Sequence, residues 1–549
     1  MASLTLSDLH HLIESNGGGA RTFKARAIES GLDKIPLFDA SSSNLNHGLV
    51  RFRGMVQDNG FAPQIYLANV NVINKETGET VQTVNCHFAD RMPLLAETDS
   101  KWIMDEDRND LMFGKYAQKT PICCSGLPGQ TEWMSENVGI EDKLRNMHVE
   151  DSETPNIHVH RKTNEPRDLQ LGQIVDFVGF VEVFKTTPEE KNDNAMDSSD
   201  FDYLIQDELE PFANLPIIHV VFYEQVSPLD HPLKNLSVDF ASARAMTLEY
   251  LLPHVFGDNL AAEYLLVHLI TKMRARQDGI QTGNFPLNLH NIATASASGS
   301  ISDASRVAPG VFVSQEHWKE MHPNASANEL AVHGLVSGEL QVPDRTYVVI
   351  DEVTMDSGIL KEQGVINVRH LNDIISFGEL PFAIGNGSDS PDHSVGKIPV
   401  DFSILVLSQA KCMFDIQCIL PIQSVSDYNV PSVASTTNKP SEEAMNRMRA
   451  YIGAVTRHED YSISEEMNEL LTSFFISQRK ETSEKSLPLY TQEAFMLRME
   501  IARTLTLLNG EQTLTLEAWN KSGEMEAERL RRRAVSTSSK QAADGAVGR

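Results

Sequence analysis

The stretch TYVVIDEV, Thr346 to Val353, is where this sequence comes nearest to carrying chemistry. A run of β-branched and aromatic residues that ends in Asp351 and Glu352 reads as a buried strand delivering two carboxylates to its end. Many ATPases use such a pair, the Asp on magnesium and the Glu on the attacking water. The pair works only opposite a phosphate-binding loop: glycines that let the backbone wrap the phosphates, a Lys for the β and γ oxygens, and a Ser or Thr for the metal. Two Gly-Lys dipeptides bear on this, Gly114-Lys115 and Gly396-Lys397. Tyr116 follows the first and Ile398 the second, and the second precedes a strand instead of following one. The place for the loop is directly after FPLNLHNI (Phe285 to Ile292), where the chain reads ATASASGSISDASR without a Lys. ATP hydrolysis is therefore not expected, no cofactor is implied, and Asp351 and Glu352 read as helix-capping or loop-closing groups.

Other reactive side chains give weaker patterns. His158 and His160, in NIHVHRK, would share one side of a strand, but no third metal ligand is signalled nearby and a solvated loop is the simpler reading. His10 and His11 are neighbours on a helix and read as surface. Cys86, Cys123, Cys124, Cys412 and Cys418 form no CxxC pair, and the adjacent Cys123 and Cys124 could bridge only with strain, so reduced thiols are expected. After SGLPGQTE comes Trp133, a core anchor or an exposed aromatic contact, the former preferred.

The elements that must position these residues follow from composition and periodicity. With 549 residues, 41% of them apolar and 22% charged, the chain should form several folding units. Lys and Arg total 47 against 76 Asp and Glu, a formal charge of -29, which disfavours nucleic-acid backbones and favours basic protein surfaces as partners. No apolar run reaches about 18 residues and the N-terminus does not read as a leader, so no membrane partner and an intracellular setting are expected. RLRRR (Arg529 to Arg533) reads as a helix C-terminus complementing its dipole, in preference to an import signal.

Residues 1–34 read as an N-terminal helical segment. Residues 35–226 carry alternating strands at Leu49–Asp58, Gln64–Ile73, Thr80–Asp90, Gln173–Val183 and Pro216–Val226, with Gly54 and Gly179 where a strand of an OB-like barrel would bend. A polar insertion at about 137–168 and an acidic one at about 186–202 interrupt them; the second reads as a solvated loop, with mimicry of nucleic acid before a basic partner as the alternative. Aromatic residues for a single-stranded DNA surface exist (Phe52, Tyr66, Phe180, Phe222, Tyr223), but the loops between the strands are acidic. Residues 227–435 alternate buried helices with near-continuous apolar strands, the mark of a parallel sheet covered on both faces. Residues 436–533 are helical, and 534–549 form a polar tail expected to be disordered.

FGDNLAAEYLLVHLITKM, GNFPLNLHN, LVRFRGMVQDNGFAPQIYLANV, KTPICCSGLPGQTEWMSE and the long stretch LAVHGLVSGELQVPDRTYVVIDEVTMDSGILKEQGVINVRHLNDII closely resemble the minichromosome maintenance (MCM) complex-binding protein family. The resemblance runs from about Ile35 to Arg533. It implies relatives of the helicase subunits themselves: an OB-like β-barrel, a degenerate AAA+-like α/β domain over 227–435, and a C-terminal helical lid. Arg447 to Lys480 resembles the helix pair closing an MCM ATPase domain, and Glu493 to Trp519 the lid helices that follow. It places Cys123 or Cys124 within a strand. Two departures stand out. LVLSQAK (Leu405 to Lys411) lacks the Asn of the helicase subunits, and CMFDIQCILPI (Cys412 to Ile422) stands where their arginine finger is missing. The resemblance implies a non-enzymatic nuclear factor that binds MCM helicase subunits, touches chromatin only indirectly, and acts in DNA replication and sister-chromatid cohesion. An active ATP-dependent remodeller and a single-stranded DNA-binding OB protein are the alternatives.

Overall fold

A computed structural model describes residues 19–38, 48–58, 63–74, 80–85, 87–88, 102–104, 115–127, 133, 156–161, 169–182, 217–227, 233–277, 280–308, 312–314, 329–331, 334–336, 340–355, 358–360, 362–382, 396–409, 411–423, 440–458, 460–484 and 489–547. The acidic stretch 186–202, His10, His11 and Cys86 lie outside these residues.

The N-terminal module opens with helix α1 (Gly19–Ser30), so the glycine run leads into a helix. Phe23 and Ala27, one turn apart, are wholly buried against Phe180 and Phe222. Eight strands follow: β1 (Leu49–Asp58), β2 (Gln64–Asn74), β3 (Thr80–Asn85), β4 (Trp102–Met104), β5 (Lys115–Ser125), β6 (Asn156–Arg161), β7 (Ile174–Glu182) and β8 (Ile217–Gln225). They pair in the order β1-β7-β8-β6-β5-β2-β3, with β4 on β2. The end of β1 also pairs with β5, Met55 opposite Ser125, so the pairings β1-β7-β8-β6-β5 return to their start.

Strand β6 corrects the sequence reading, which assigned 137–168 to a polar insertion. Its residues pair antiparallel with β5 and parallel with β8 and connect the two halves of the circuit. The NIHVHR alternation is that of a strand, but its polarity masks it. Gly179 has its own necessity: a Cβ there would sit 2.3 Å from the His219 carbonyl oxygen, beside a register shift in the β7–β8 pairing.

The second half of the chain is built on one parallel sheet. Helices α2 (Phe240–Leu251) and α3 (Asn259–Ile270) lead in, and nine of the twelve residues of α3 are buried, as its all-round apolarity requires. A hairpin of β9 (Ala275–Gln277) and β10 (Ile280–Thr282) precedes β11 (Leu287–His290), α4 (Ala295–Ser305) and β12 (Phe312–Ser314). After a short hairpin of β13 (Glu329–Ala331) and β14 (Gly334–Val336) come β15 (Thr346–Asp351) and α5 (Glu362–Phe377). A third hairpin, β16 (Glu379–Phe382) with β17 (Gly396–Pro399), leads to β18 (Phe402–Ser408) and β19 (Cys418–Pro421). The sheet order is β12-β15-β18-β11-β19, every pairing parallel.

Both faces of this sheet are covered, which is why TYVVI is apolar without alternation. Tyr347 and Val349 face one hydrophobic cluster, Val348 and Ile350 the other, beneath α5. Helices α6 (Glu442–Arg457), α7 (Glu465–Glu484), α8 (Gln492–Leu508) and α9 (Leu516–Val547) complete the chain and contribute Tyr451, Ile501, Leu508 and Trp519 to the first cluster. Helix α9 continues to Val547, in place of the disordered tail expected over 534–549.

Candidate functional site

A parallel sheet brings all its strand C-termini to one edge, and ligands of such sheets bind there, where the strand order reverses. Here the reversal falls beside β11, because the chain passes from β11 to the far edge strand β12 and returns through β15 and β18. The residues at that edge are His290, Asp351, Glu352 and Ser408, with the first turn of α4 above them.

Asp351 closes β15 and is half-buried. Its Oδ2 accepts a hydrogen bond from Ser298 Oγ at 2.5 Å, and its Oδ1 accepts from the Val353 amide at 2.9 Å. Ser298 is wholly buried in the first turn of α4, with the Ala295 carbonyl 2.9 Å away as its second contact. Thr294 caps this helix by accepting from the Ala297 amide at 3.3 Å. Ala297, the residue before Ser298, is buried.

Glu352 turns the other way. Its Oε1 accepts from the Met413 amide at 2.8 Å and from the Cys412 thiol at 3.3 Å, tying the end of β15 to the loop after β18. Burial raises its pKa above the ordinary carboxylate value, and the two hydrogen bonds only partly oppose the rise. At the neighbouring strand ends, Ser408 Oγ donates to Asn288 Oδ1 at 2.8 Å and lies 3.1 Å from His290 Nδ1. The edge is thus held by side chains that bond one another, with each carboxylate oxygen of Asp351 taken by a protein donor.

A family model described as mini-chromosome maintenance replisome factor matches residues 24–168 and 138–533. The chain belongs to this family. Proteins named mini-chromosome maintenance complex-binding protein are among its relatives. The Salmo salar protein is 28% identical over 328 residues, which cover 56% of this chain and 50% of that one. The Homo sapiens protein is 25% identical over 352 residues, 59% of this chain and 52% of that one. The Drosophila melanogaster protein is 28% identical over 387 residues, 66% and 61% respectively. The chain spans about half the length of the vertebrate relatives it matches.

The other candidate residues have structural places. Cys124 is buried and Cys123 half-buried in β5, and burial raises the Cys124 pKa, so its thiol stays protonated. His158 and His160 stand opposite His219 and Lys119 in the sheet, and the described residues contain no cluster fit for a metal. Phe180 and Phe222 lie in the core, and Phe52 and Tyr223 are half-buried and pack against core residues. No helix among the described residues is long and apolar enough to cross a membrane.

The run Arg529 to Arg533 lies inside α9, not at a helix C-terminus, which corrects the dipole reading. Arg529 is buried against Glu526 at 2.8 Å and donates to the Ile419 carbonyl of β19. Arg532 pairs with Asp258 at 2.6 Å across to the start of α3. Asp258, the N-cap of α3, accepts from the amides of Leu260, Ala261 and Gln423 as well. Sequence reasoning missed Ser298 and the ionic contact of α9 with Asp258, because no local pattern marks a partner 53 residues away, as for Ser298, or 274, as for Arg532.

Proposed function

We propose that this chain is a non-enzymatic binding factor for subunits of the MCM replicative helicase, acting in the nucleus during DNA replication to supply, assemble or unload helicase complexes, with a further part in sister-chromatid cohesion. The family match over residues 24–168 and 138–533 carries the reading, since relatives across vertebrates and Drosophila bear the name MCM complex-binding protein. On this reading the circuit of strands in the N-terminal module is an OB-like barrel, and the parallel sheet with α6 to α9 is a degenerate AAA+-like domain with its lid. The contact of Ser298 with Asp351 supports the second assignment, because it joins the two positions that would share a magnesium ion in a working site. With Ala297 in place of the cation and Glu352 held by Met413, the edge serves as a fixed shape for a helicase subunit to recognise.

Mixing the purified chain with individual MCM subunits tests this directly. A stable complex on size exclusion with at least one subunit is expected, and none with any subunit would overturn the reading. Isothermal titration with ATP and magnesium should show no saturable heat. Hydrolysis that Asp351→Ala abolishes would replace the binding factor with an ATP-dependent remodeller. A mobility shift with single-stranded DNA that weakens as salt rises would favour the DNA-binding alternative.

A further inference from the structure

The N-terminal module and the rest of the chain have separate cores. Among the described residues, the clusters built on Phe177 and Val181, on Phe23 and Phe180, and on Met55 and Ile174 share no residue with the two clusters of the parallel sheet. Helices α6 to α9, by contrast, belong to the same cluster as one face of that sheet. Folding units joined without a shared apolar core move relative to one another by default.

Among the described residues, small and specific contacts join the module to the rest of the chain. Gln341 Nε2 donates to the Gln57 carbonyl at 3.2 Å, and the Val342 carbonyl lies 3.7 Å from where a Cβ on Gly172 would stand. The third contact is Trp133. Trp133 is 7% exposed, and its indole N–H donates at 3.2 Å to the carbonyl of Arg306, the C-cap of α4. Arg449 of α6 lies over the ring at 4.7 Å. Glu442 and Asn446 hold that guanidinium at 2.8 and 3.0 Å, so it is already in place when the indole arrives. Trp133 thus joins the module at once to the α/β sheet, through α4, and to the helical bundle, through α6.

We propose that Trp133 is a latch. Seated between α4 and α6 it docks the N-terminal module. Withdrawn, it lets that module swing away from a body whose own core is untouched. The inference does not rest on the helicase reading, because it concerns contacts within one chain.

The test uses the full-length protein and Trp133→Ala. The expected result is a larger radius of gyration in solution scattering and hydrogen exchange about tenfold faster at the end of α4 and along the Trp133-facing side of α6, with exchange in β15 and β18 unchanged. Trp133→Phe keeps a ring beneath Arg449 and loses the N–H donor, and should fall between wild type and Ala. Arg449→Gln should loosen the module in the same direction. An unchanged radius together with unchanged exchange at α4 and α6 in both Trp133→Ala and Arg449→Gln would overturn the latch. So would Trp133→Ala destabilising β15 and β18 along with the module, since the two parts would then unfold as one.

Discussion

At the scale of single residues, the side chains with most at stake are buried polar groups far from the sheet edge. Tyr264 donates to Glu526 Oε1 at 2.5 Å, and the same carboxylate pairs with Arg529, so a phenol, a carboxylate and a guanidinium share one buried site. Glu526→Ala would leave Arg529 buried without its counter-charge and should destabilise the chain by about 3–5 kcal/mol in urea unfolding. Tyr264→Phe removes one hydrogen bond and should cost about 1 kcal/mol.

A second residue gives a pH signature. Burial pushes the Asp344 pKa up to about 6, while its hydrogen bond from the Asp401 amide and the nearby Arg345 and Arg276 oppose the rise. A carboxylate whose folded pKa lies above its unfolded value favours folding when protonated, so this contribution is complete below about pH 4 and is lost as pH rises through about 6. Asp344→Asn should therefore raise the thermal midpoint at pH 7.5 and leave it nearly unchanged at pH 4, measured in parallel scans. A lower midpoint at pH 7.5 would show that the ionised carboxylate is stabilising. None of these positions is marked in the sequence: Glu526 and Arg529 look like any i, i+3 pair on a charged helix, and only the fold puts Tyr264 beside them.

At the scale of elements, legibility follows local periodicity. The segments of β15, β18 and α3 are readable because their burial is written in contiguous apolar residues, and each is an element of the sheet body. β6 is unreadable for the opposite reason: three of its six residues are His or Arg, and its place depends on β5 and β8 some thirty and sixty residues away. That no Lys stands between Ala293 and Ser305 is legible in the sequence, whereas the contact of Ser298 with Asp351 needs the fold.

Helix α9 separates surface from structure within one arginine run. Arg531 is exposed and pairs, among the described residues, with Glu528 on its own helix, whereas Arg532 reaches Asp258 at the start of α3. Arg532→Ala should lower stability by about 2 kcal/mol, less than a fully buried pair would, because Asp258 keeps three backbone donors. Arg531→Ala should leave the unfolding midpoint where it is. Equal effects of the two substitutions would contradict the assignment of the α3 contact to Arg532.

At the scale of the whole molecule, the formal charge of -29 sets how a partner is met. Association with a basic protein surface should slow several-fold as salt rises from 50 to 300 mM, with dissociation much less affected, in stopped-flow measurements. A salt-independent association rate would mean that the acidic field takes no part.

The single cluster that joins α3, the parallel sheet and α6 to α9 runs from Ala243 to Met525, and it has a consequence for biosynthesis. On the ribosome, one face of the sheet stays partly bare until Met525 has left the exit tunnel, while the described strands of the N-terminal module are all made by Gln225. A nascent chain halted near residue 435 would carry a finished front half and an open apolar wall behind it. Such a chain is a client for chaperones, and the completed protein is not.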